Sequence, residues 1–336
     1  MNLRFILFWL TDILGINTLY RKIFRNRAII LYYHGVCDDD FTLLKGYDER
    51  HTPKSLFRKQ LAYLKQKGYI FVNMSELVYA LKNSQGVRKY VTLTFDDGFK
   101  NVIKNAYPIM REFGAKGCFY LVSGLTGTDQ LLWTDYVETV VRNQYNGDFQ
   151  FIFKGETVHY RLVDKKSYEF AMKDIKAKLR QISNQERLEH LKQFDNIALQ
   201  NVPKEFTLVN WQQIRELDPD VLEIGNHTKN HPNCANLATE EEFEDEIYFS
   251  KIDIQRNIGQ KIDHFCYPAG SYNDTVITMV KKHGYESAVT TEDGFVDADS
   301  ELLKLKRIDP GSDFITFKAR ISGCNNILRM TKRRFV

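Results

Sequence analysis

Short apolar runs alternate with amphipathic segments along the first third of this chain. Residues 28–33, 90–95 and 116–122 are rich in aliphatic and aromatic side chains, which predicts buried strands. Apolar residues recur at helical spacing in residues 53–68 and again in residues 101–113. Strands that alternate with helices build parallel sheets covered by helices, so the pattern predicts an α/β fold.

The alternation lapses after Trp133 and returns in the last third of the chain. Residues 149–162 alternate in polarity about Lys154-Gly155, which predicts a hairpin, and residues 167–194 have a charged helical pattern. We therefore interpret residues 140–205 as an insertion carried on the main domain. Further strands are then predicted at 221–224, 264–267, 288–290 and 305–308, with helices over 240–258 and 275–283.

The composition is that of a globular protein with a large core. Of the 336 residues, 43% are hydrophobic and 13% aromatic, which excludes a disordered chain. The net charge of +4 comes from 47 basic and 43 acidic residues mixed along the sequence, so no nucleic-acid partner is expected. The five cysteines include no CxxC pair, which fits a reducing compartment, and a cytoplasmic location is expected.

The first 27 residues form a separate apolar and basic segment. Residues 3–16 are strongly apolar but are interrupted by Arg4 and Asp12, and the run is too short for a membrane span. No small-residue cleavage site precedes the next basic stretch, so a cleaved signal peptide is not expected. An apolar helix followed by the basic run 21–27 either lies on the inner face of an anionic membrane or packs on the main domain as an extra helix.

Two adjacent carboxylates, Asp96 and Asp97, directly follow the predicted strand 90–95. Strand C-termini are where parallel α/β folds assemble active sites from several loops. Because successive side chains along a strand point in opposite directions, one carboxylate can bind a metal while the other faces the substrate. The alternative for an isolated Asp-Asp-Gly sequence is an ordinary turn.

Two histidines four residues apart, His227 and His231, follow the predicted strand 221–224. Histidines at this spacing on a helical turn share a face and can chelate one ion. A third ligand from a carboxylate would leave positions open for water and substrate, as a catalytic metal requires. The alternative is a surface turn, but a location just after a buried strand favours a metal site.

A third cluster, Tyr267-Pro268-Ala269-Gly270, ends the predicted strand 264–267. A sharp turn at this place exposes backbone N–H groups, which can stabilise an oxyanion. Taken alone, the sequence is also compatible with an ordinary strand-ending turn.

Together the clusters TFDDG, HTKNH and YPAG resemble the polysaccharide deacetylase family, also called the NodB-homology or carbohydrate esterase 4 family. The stretches LYYHGV, GCFYLVSG and GYESAVTT are also similar to its sequences, and the resemblance covers about residues 28–317. It implies a distorted (β/α) barrel over residues 28–320, between the N-terminal segment 1–27 and a basic tail over 321–336. It also implies that the chain is a hydrolase acting on carbon–nitrogen bonds other than peptide bonds.

The resemblance also implies roles for individual residues. Asp97, His227 and His231 would bind a divalent metal, with zinc expected and cobalt, nickel or iron as alternatives. Asp96 would be the general base that activates a metal-bound water. The backbone N–H of Ala269 would be a donor to the oxyanion.

Two features of the family are missing from this chain. The arginine that helps to orient the base is expected two residues before Pro268, where this sequence has Cys266. The late Leu-x-His sequence that commonly supplies the general acid is absent from residues 303–307. A branch of the family with permuted strands carries YHxV on its first strand, and this chain has that sequence at 33–36. We therefore predict that His34 is the general acid, with a purely structural histidine as the alternative.

The predicted activity is hydrolysis of the acetamide of N-acetylated sugars in a polysaccharide or lipid-linked glycan. Tyr267, Pro268 and Tyr272 are expected to contact this substrate. One alternative is a deformylase or O-acetyl esterase that acts on a polyprenyl-linked sugar. Another alternative, of a different class, is a catalytically inactive barrel that binds glycans.

Overall fold

The structure is a computed structural model that describes residues 3–40, 50–144, 147–195, 197 and 202–324. The predicted basic tail lies outside the described residues from residue 325 onward. Within the described part of the chain, no helix is long and apolar enough to cross a membrane.

Twelve strands are present in the described residues, and most of them belong to one parallel sheet. The strands are β1 (Ile29–Tyr33), β2 (Gly35–Cys37), β3 (His51–Pro53), β4 (Ile70–Phe71), β5 (Tyr90–Phe95), β6 (Gly117–Leu121), β7 (Asp148–Phe153), β8 (Glu156–Arg161), β9 (Leu222–Asn226), β10 (His264–Cys266), β11 (Ser287–Asp293) and β12 (Leu305–Arg307). Seven of them follow one another in the order β1-β5-β6-β9-β10-β11-β12, and β4 also pairs with β5.

The seven-stranded sheet curls into a nearly closed barrel. Its first and last strands meet through a parallel bridge between Leu31 and Ile308, where the N–H of Ile308 donates to the carbonyl of Ile30 at 2.8 Å. The strands are buried on both faces, as expected for a parallel sheet with helices outside. The predicted fold class, a distorted (β/α) barrel, is confirmed.

Thirteen α-helices connect or flank the strands in the described residues. They are α1 (Leu3–Ile13), α2 (Ile16–Ile23), α3 (Lys54–Gln66), α4 (Met74–Lys82), α5 (Tyr107–Phe113), α6 (Trp133–Asn143), α7 (Lys165–Leu179), α8 (Asn184–Leu191), α9 (Trp211–Arg215), α10 (Glu240–Phe243), α11 (Ser250–Ile258), α12 (Asp274–Lys282) and α13 (Phe314–Ser322). The helix predicted over 240–258 is continuous but contains a π-helical stretch, Glu244–Phe249.

The segment between α6 and α9 has its own apolar core. Strands β7 and β8 form an antiparallel hairpin that turns at Lys154-Gly155, as the alternation predicted. Phe149 and Phe151 of this hairpin pack with Met172 and Phe194 in a cluster separate from the main one. These contacts support our proposal that about residues 140–205 are an insertion carried on the barrel.

The two N-terminal helices pack against α13 at the outside of the barrel. Buried Asn17 accepts a hydrogen bond from Ser322 at 3.2 Å, and Asp12 forms an ion pair with Lys318. The ring of Phe24 stacks on Phe295 with the centroids 4.9 Å apart. The N-terminal segment is therefore attached to the main domain by both polar and apolar contacts.

Candidate metal and catalytic site

Residues from the ends of three parallel strands meet at one mouth of the barrel. Asp96 and Asp97 follow β5, His227 follows β9, and the turn at Ala269 follows β10. In the described residues, seven residues other than glycine have a positive φ, and four of these lie here, namely Asp97, Thr228, His231 and Ala269. Non-glycine residues in this region are strained, and such strain is typical of functional sites.

Asp97, His227 and His231 converge on one point. The Nε2 atoms of His227 and His231 lie 3.5 Å and 3.4 Å from Oδ1 of Asp97. The expectation that the two histidines share a helical turn is wrong, because Thr228 (φ 68°) and His231 (φ 54°) have left-handed backbone. A loop closed by a 3.0 Å hydrogen bond from the N–H of His231 to Oγ1 of Thr228 brings the rings together instead.

Contacts around the two imidazoles fix their orientation. The carbonyl of Cys266 accepts a 2.7 Å hydrogen bond from Nδ1 of His227, which leaves Nε2, the nitrogen that faces Asp97, for a metal ion. The indole Nε1 of Trp133 donates to the carbonyl of His231 at 3.0 Å. Burial lowers the pKa of His231 to about 3, which keeps its imidazole neutral at physiological pH.

The donor set fits a divalent cation. Its three ligand atoms lie within 4.8 Å of one another, and buried Oδ1 of Asp97 has no hydrogen-bond partner among the described residues. Burial alone would raise the pKa of Asp97, but the neighbouring His227, His231, His34 and Arg50 lower it below its ordinary value. Two imidazoles and one ionised carboxylate are a ligand set typical of catalytic zinc.

Asp96 lies next to this cluster, but its carboxylate binds Arg307. Nη1 of Arg307 donates to Oδ1 of Asp96 and Nη2 donates to Oδ2, each at 2.8 Å. Both side chains are almost completely buried. Burial would raise the pKa of Asp96, but the charge and hydrogen bonds of Arg307 lower it overall, so the carboxylate stays ionised.

Arg307 is the residue that sequence reasoning missed. Its guanidinium also donates to Oγ1 of Thr94 at 3.0 Å and to the carbonyl of Thr290 at 2.7 Å, and it lies 4.8 Å from the centroid of the Tyr32 ring. A signal was present, because Leu305 and Arg307 alternate with exposed Lys306, which places Arg307 on the buried side of β12.

The side chain of Cys266 lies beside this ion pair, with Sγ 3.4 Å from Nη2 of Arg307. Asp96, His227 and Cys266 therefore form a second compact group of possible metal ligands. Both oxygens of Asp96 are already bonded to Arg307, and burial raises the pKa of the Cys266 thiol. A neutral thiol and an occupied carboxylate do not fit a cation, so the group built on Asp97 is the candidate metal site.

His34 lies at the same mouth, just after β1, and is partly exposed. It is close enough to contribute to lowering the pKa of both Asp96 and Asp97. The chain bends at His34, and the next residue is packed so closely that a Cβ on Gly35 would lie 2.3 Å from the His51 ring. His34 thus lies beside the two carboxylates and is open to solvent on one side.

The predicted substrate residues differ in exposure. Ala269 is exposed, with its left-handed backbone (φ 53°) on the turn after β10, and Tyr272 is half-buried with its hydroxyl bonded to Glu292. Pro268 is buried. Tyr267 is fully buried and its hydroxyl donates to the carbonyl of Leu303 at 3.0 Å, so its position gives no support to a substrate contact.

A second arginine borders the candidate metal site. Nη1 of Arg50 lies 3.3 Å from Oδ2 of Asp97, and the same guanidinium forms an ion pair with buried Asp135. Arg50 belongs to a polar stretch with no periodic pattern, and Asp135 to the predicted boundary of the insertion. Their meeting depends on tertiary structure, and nothing in the sequence pointed to it.

Comparisons with known proteins identify the family and agree with the fold. Residues 83–288 match the polysaccharide deacetylase family model, which is more than half of the chain. "Putative polysaccharide deacetylase YxkH" of Bacillus subtilis is 20% identical over 295 residues, covering 87% of this chain and 75% of that protein. The poly-beta-1,6-N-acetyl-D-glucosamine N-deacetylase of Staphylococcus aureus is 25% identical over 112 residues, which cover 31% of this chain and 39% of that protein.

Two solved structures share the fold. IcaB from Ammonifex degensii superimposes with a TM-score of 0.58 at 17% identity, covering 88% of this chain and 97% of that one. The Streptococcus pyogenes deacetylase PplD, solved in complex with acetate, gives 0.56 at 22% identity, with 84% and 92% covered. From the family match and the shared barrel, we conclude that this chain belongs to the polysaccharide deacetylase family, whose members are hydrolases acting on carbon–nitrogen bonds.

Proposed function

We propose that this protein removes acetyl groups from the nitrogen of N-acetylated sugars in a glycan, in a metal-dependent reaction. The observation that carries the proposal is the divergence of two adjacent carboxylates. Asp97 faces two imidazoles in a site suited to a cation, whereas Asp96 is held by Arg307 outside that site. One residue pair thus supplies both a metal ligand and a separate base.

Asp97, His227 and His231 would hold the cation. When bound, a divalent cation at this position supplies Lewis acidity, which lowers the pKa of water and polarises a carbonyl oxygen. The side chains suit zinc, and also cobalt, nickel or iron.

Asp96 would act as the general base. Its depressed pKa keeps it ionised, and the two hydrogen bonds from Arg307 hold the carboxylate in one orientation. It would accept a proton from the attacking water as the new carbon–oxygen bond forms. The backbone N–H of Ala269, on the exposed turn after β10, would donate to the oxygen that becomes negatively charged.

His34 would act as the general acid. Breaking the carbon–nitrogen bond requires a proton on the departing nitrogen, because an amide anion is a poor leaving group. A partly exposed imidazole next to both carboxylates is suitably placed to supply that proton. Tyr272, half-buried near the turn after β10, would contact the sugar.

An N-acetylated glucosamine polymer is the substrate class that we favour. The support is the Staphylococcus aureus relative, whose name gives poly-beta-1,6-N-acetyl-D-glucosamine as its substrate, although it shares only 112 aligned residues. Removal of a formyl group or an O-acetyl group would use the same side chains. A barrel that only binds glycans is less well supported, because every proposed catalytic residue and metal ligand is present.

A substrate screen tests the proposal. The purified protein is incubated with N-acetyl, N-formyl and O-acetyl sugars and oligomers, with and without a chelator. Mass spectrometry then identifies which acyl group each product has lost. We expect loss of acetyl from N-acetylglucosamine oligomers, abolished by chelation and restored by zinc. Selective loss of formyl or O-acetyl groups would replace the proposed substrate, and no turnover of any substrate after metal addition would favour a binding protein.

A further inference from the structure

The N-terminal helices expose an unusually apolar outer surface. Seven of the sixteen large apolar side chains that are exposed in the described residues lie within the first 23 residues. We call this set the apolar face; it consists of Leu7, Trp9, Leu10, Ile13, Leu14, Leu19 and Ile23. Exposed apolar patches of this kind mark interaction surfaces.

The apolar face is a fixed feature of the folded protein. On α1 the exposed positions occupy one side of the helix, whereas Phe8 and Thr11 on the other side are buried. The ion pair of Asp12 with Lys318 holds α1 on the barrel, and the hydrogen bond from Ser322 to Asn17 holds α2. The apolar side chains therefore point outward because their helices are anchored through the opposite side.

A basic cavity adjoins the apolar face. It has a volume of about 510 Å³, and seven of its thirteen lining residues are Lys or Arg, with no acidic residue among them. We call it the basic pocket; its cations are Arg21, Lys22, Arg25, Arg27, Lys67, Arg88 and Lys89.

Most of the positive charge in the basic pocket is uncompensated. Arg27 pairs with Asp297 at 3.2 Å, but the other six cations have no carboxylate at ion-pair distance among the described residues. Helix α2 contributes to both surfaces, because Leu19 and Ile23 belong to the apolar face while Arg21 and Lys22 line the pocket. Apolar side chains and cations without a carboxylate partner among the described residues thus share one edge of the molecule.

We propose that this edge docks on the surface of a lipid bilayer that contains anionic phospholipids. The apolar face enters the boundary between headgroups and acyl chains, and the basic pocket binds headgroup phosphates. This pairing of apolar and cationic surfaces is what interfacial membrane binding requires. The inference is independent of the proposed function, since docking needs no turnover.

The positive charge of the basic pocket favours an anionic bilayer over a second copy of this chain as the binding partner. A symmetric dimer through the apolar face would place two basic pockets close together, since both partners use the same patch. Like charges brought together in this way oppose association. An anionic surface instead offers the complementary charge.

The topology sets the orientation of the docked protein. Ile29 begins β1 and Lys89 immediately precedes β5, so the basic pocket lies at the N-terminal ends of the parallel strands. Asp96 and Asp97 lie at the opposite ends, about 20 Å away along a six-residue strand. The candidate catalytic mouth therefore opens away from the bilayer, toward a glycan that extends from the surface.

Co-sedimentation with vesicles tests the proposal, using full-length protein. One set of vesicles is phosphatidylcholine alone and the other contains about one third phosphatidylglycerol. Ile13→Ser/Leu14→Ser tests the apolar face, and Lys22→Glu/Arg25→Glu tests the basic pocket. Phe170→Ser and Lys166→Glu/Lys173→Glu, which change exposed residues on α7, are the matched controls.

We expect the wild type and both controls to bind the anionic vesicles in low salt and to be released by high salt. Each test variant should bind at least roughly tenfold more weakly, because each cation near an anionic surface contributes appreciably to binding. Equal binding by the wild type and both test variants would overturn the proposal. So would a salt-stable dimer that fails to bind vesicles, or binding of inorganic phosphate in the pocket without vesicle binding.

Trp9 provides a direct optical readout. Trp9 is 44% exposed, whereas Trp133 is buried and Trp211 is half-buried against Gly127 on the main domain. Transfer of Trp9 into the interface should therefore shift the emission to shorter wavelength. Trp9→Phe should abolish this shift while keeping vesicle binding. Vesicle binding by the wild type with no shift in its emission would show that the apolar face does not enter the bilayer.

Discussion

Arg307 and Asp96 form a bidentate ion pair across the barrel, although they lie 211 positions apart in the sequence. The pair joins the end of β5 to the last strand of the barrel, two strands that are not neighbours in the sheet. Because the proposed base is almost fully buried, it needs a cation to remain ionised, and Arg307 supplies that charge. The return of β12 beside β1, which closes the barrel, therefore also places the arginine that keeps the proposed base ionised.

The geometry of this ion pair should matter as well as its charge. Arg307→Lys keeps the positive charge but cannot donate two parallel hydrogen bonds to one carboxylate. We expect kcat to fall roughly tenfold to a hundredfold, with metal content unchanged. Steady-state kinetics and elemental analysis check this, with Arg27→Lys in the exposed ion pair to Asp297 as the control. Unchanged kcat would show that the orientation of Asp96 does not depend on Arg307.

An arginine at position 266 should replace Arg307. Sγ of Cys266 lies 3.4 Å from Nη2 of Arg307, so a guanidinium from position 266 can reach the same carboxylate. Arg307→Ala alone leaves a buried carboxylate unpaired, so we expect lower stability and an acidic limb of kcat/KM moved to higher pH. Arg307→Ala/Cys266→Arg should return both stability and the pH profile toward the wild type. A double variant no better than Arg307→Ala would refute the exchange.

The proposed general acid predicts a selective loss of activity. His34→Gln should lower kcat by about 10² to 10⁴, because proton donation to the leaving nitrogen is lost. Metal content should not change, since His34 is outside the proposed ligand set. His159→Gln, on the exposed hairpin, is the control and should behave as the wild type. Loss of metal from His34→Gln would instead make His34 a ligand or a support of the metal site.

His264 predicts a pH dependence of stability. Burial lowers its pKa to about 4, so the folded protein keeps it neutral while the unfolded chain takes up a proton near pH 6.5. Its contribution to stability is therefore complete above pH 6.5 and is lost as the pH falls toward 4. Urea unfolding measures the free energy of unfolding at about pH 7 and at about pH 5. Between these values the free energy of unfolding of His264→Gln should fall by roughly 2 kcal/mol less than that of the wild type. Identical pH dependence would contradict the assignment.

The sequence predicted those parts of the site that depend on where strands end and on the spacing of residues. The sequence could predict that Asp97, His227 and His231 lie close together, because each follows a strand whose C-terminus reaches the same mouth. The helical turn expected for the two histidines was wrong because left-handed backbone at Thr228 and His231 determines the loop. Such backbone is set by surrounding contacts and leaves no periodic signal.

The alternation in β12 could place Arg307 on a buried side, but the sequence could not predict which residue it meets across the barrel. Arg307 faces Asp96 only when β12 returns beside β1, and Arg50 meets Asp135 only when a loop folds over the mouth. Tyr267 illustrates the converse, since its place in a strand-ending cluster suggested a substrate contact but its ring packs in the core. The direction of a side chain at a strand end depends on the turn that follows.

Acetate release by Asp96→Asn tests the central claim most directly. The wild type and the variant, both loaded with zinc and matched for metal content by elemental analysis, are given N-acetylglucosamine oligomers. The account predicts that the variant keeps its metal, because Asp96 is outside the ligand set, and releases acetate at least about 10²-fold more slowly. Wild-type rates of acetate release by the metal-loaded variant would contradict the separation of metal ligand and base between Asp97 and Asp96.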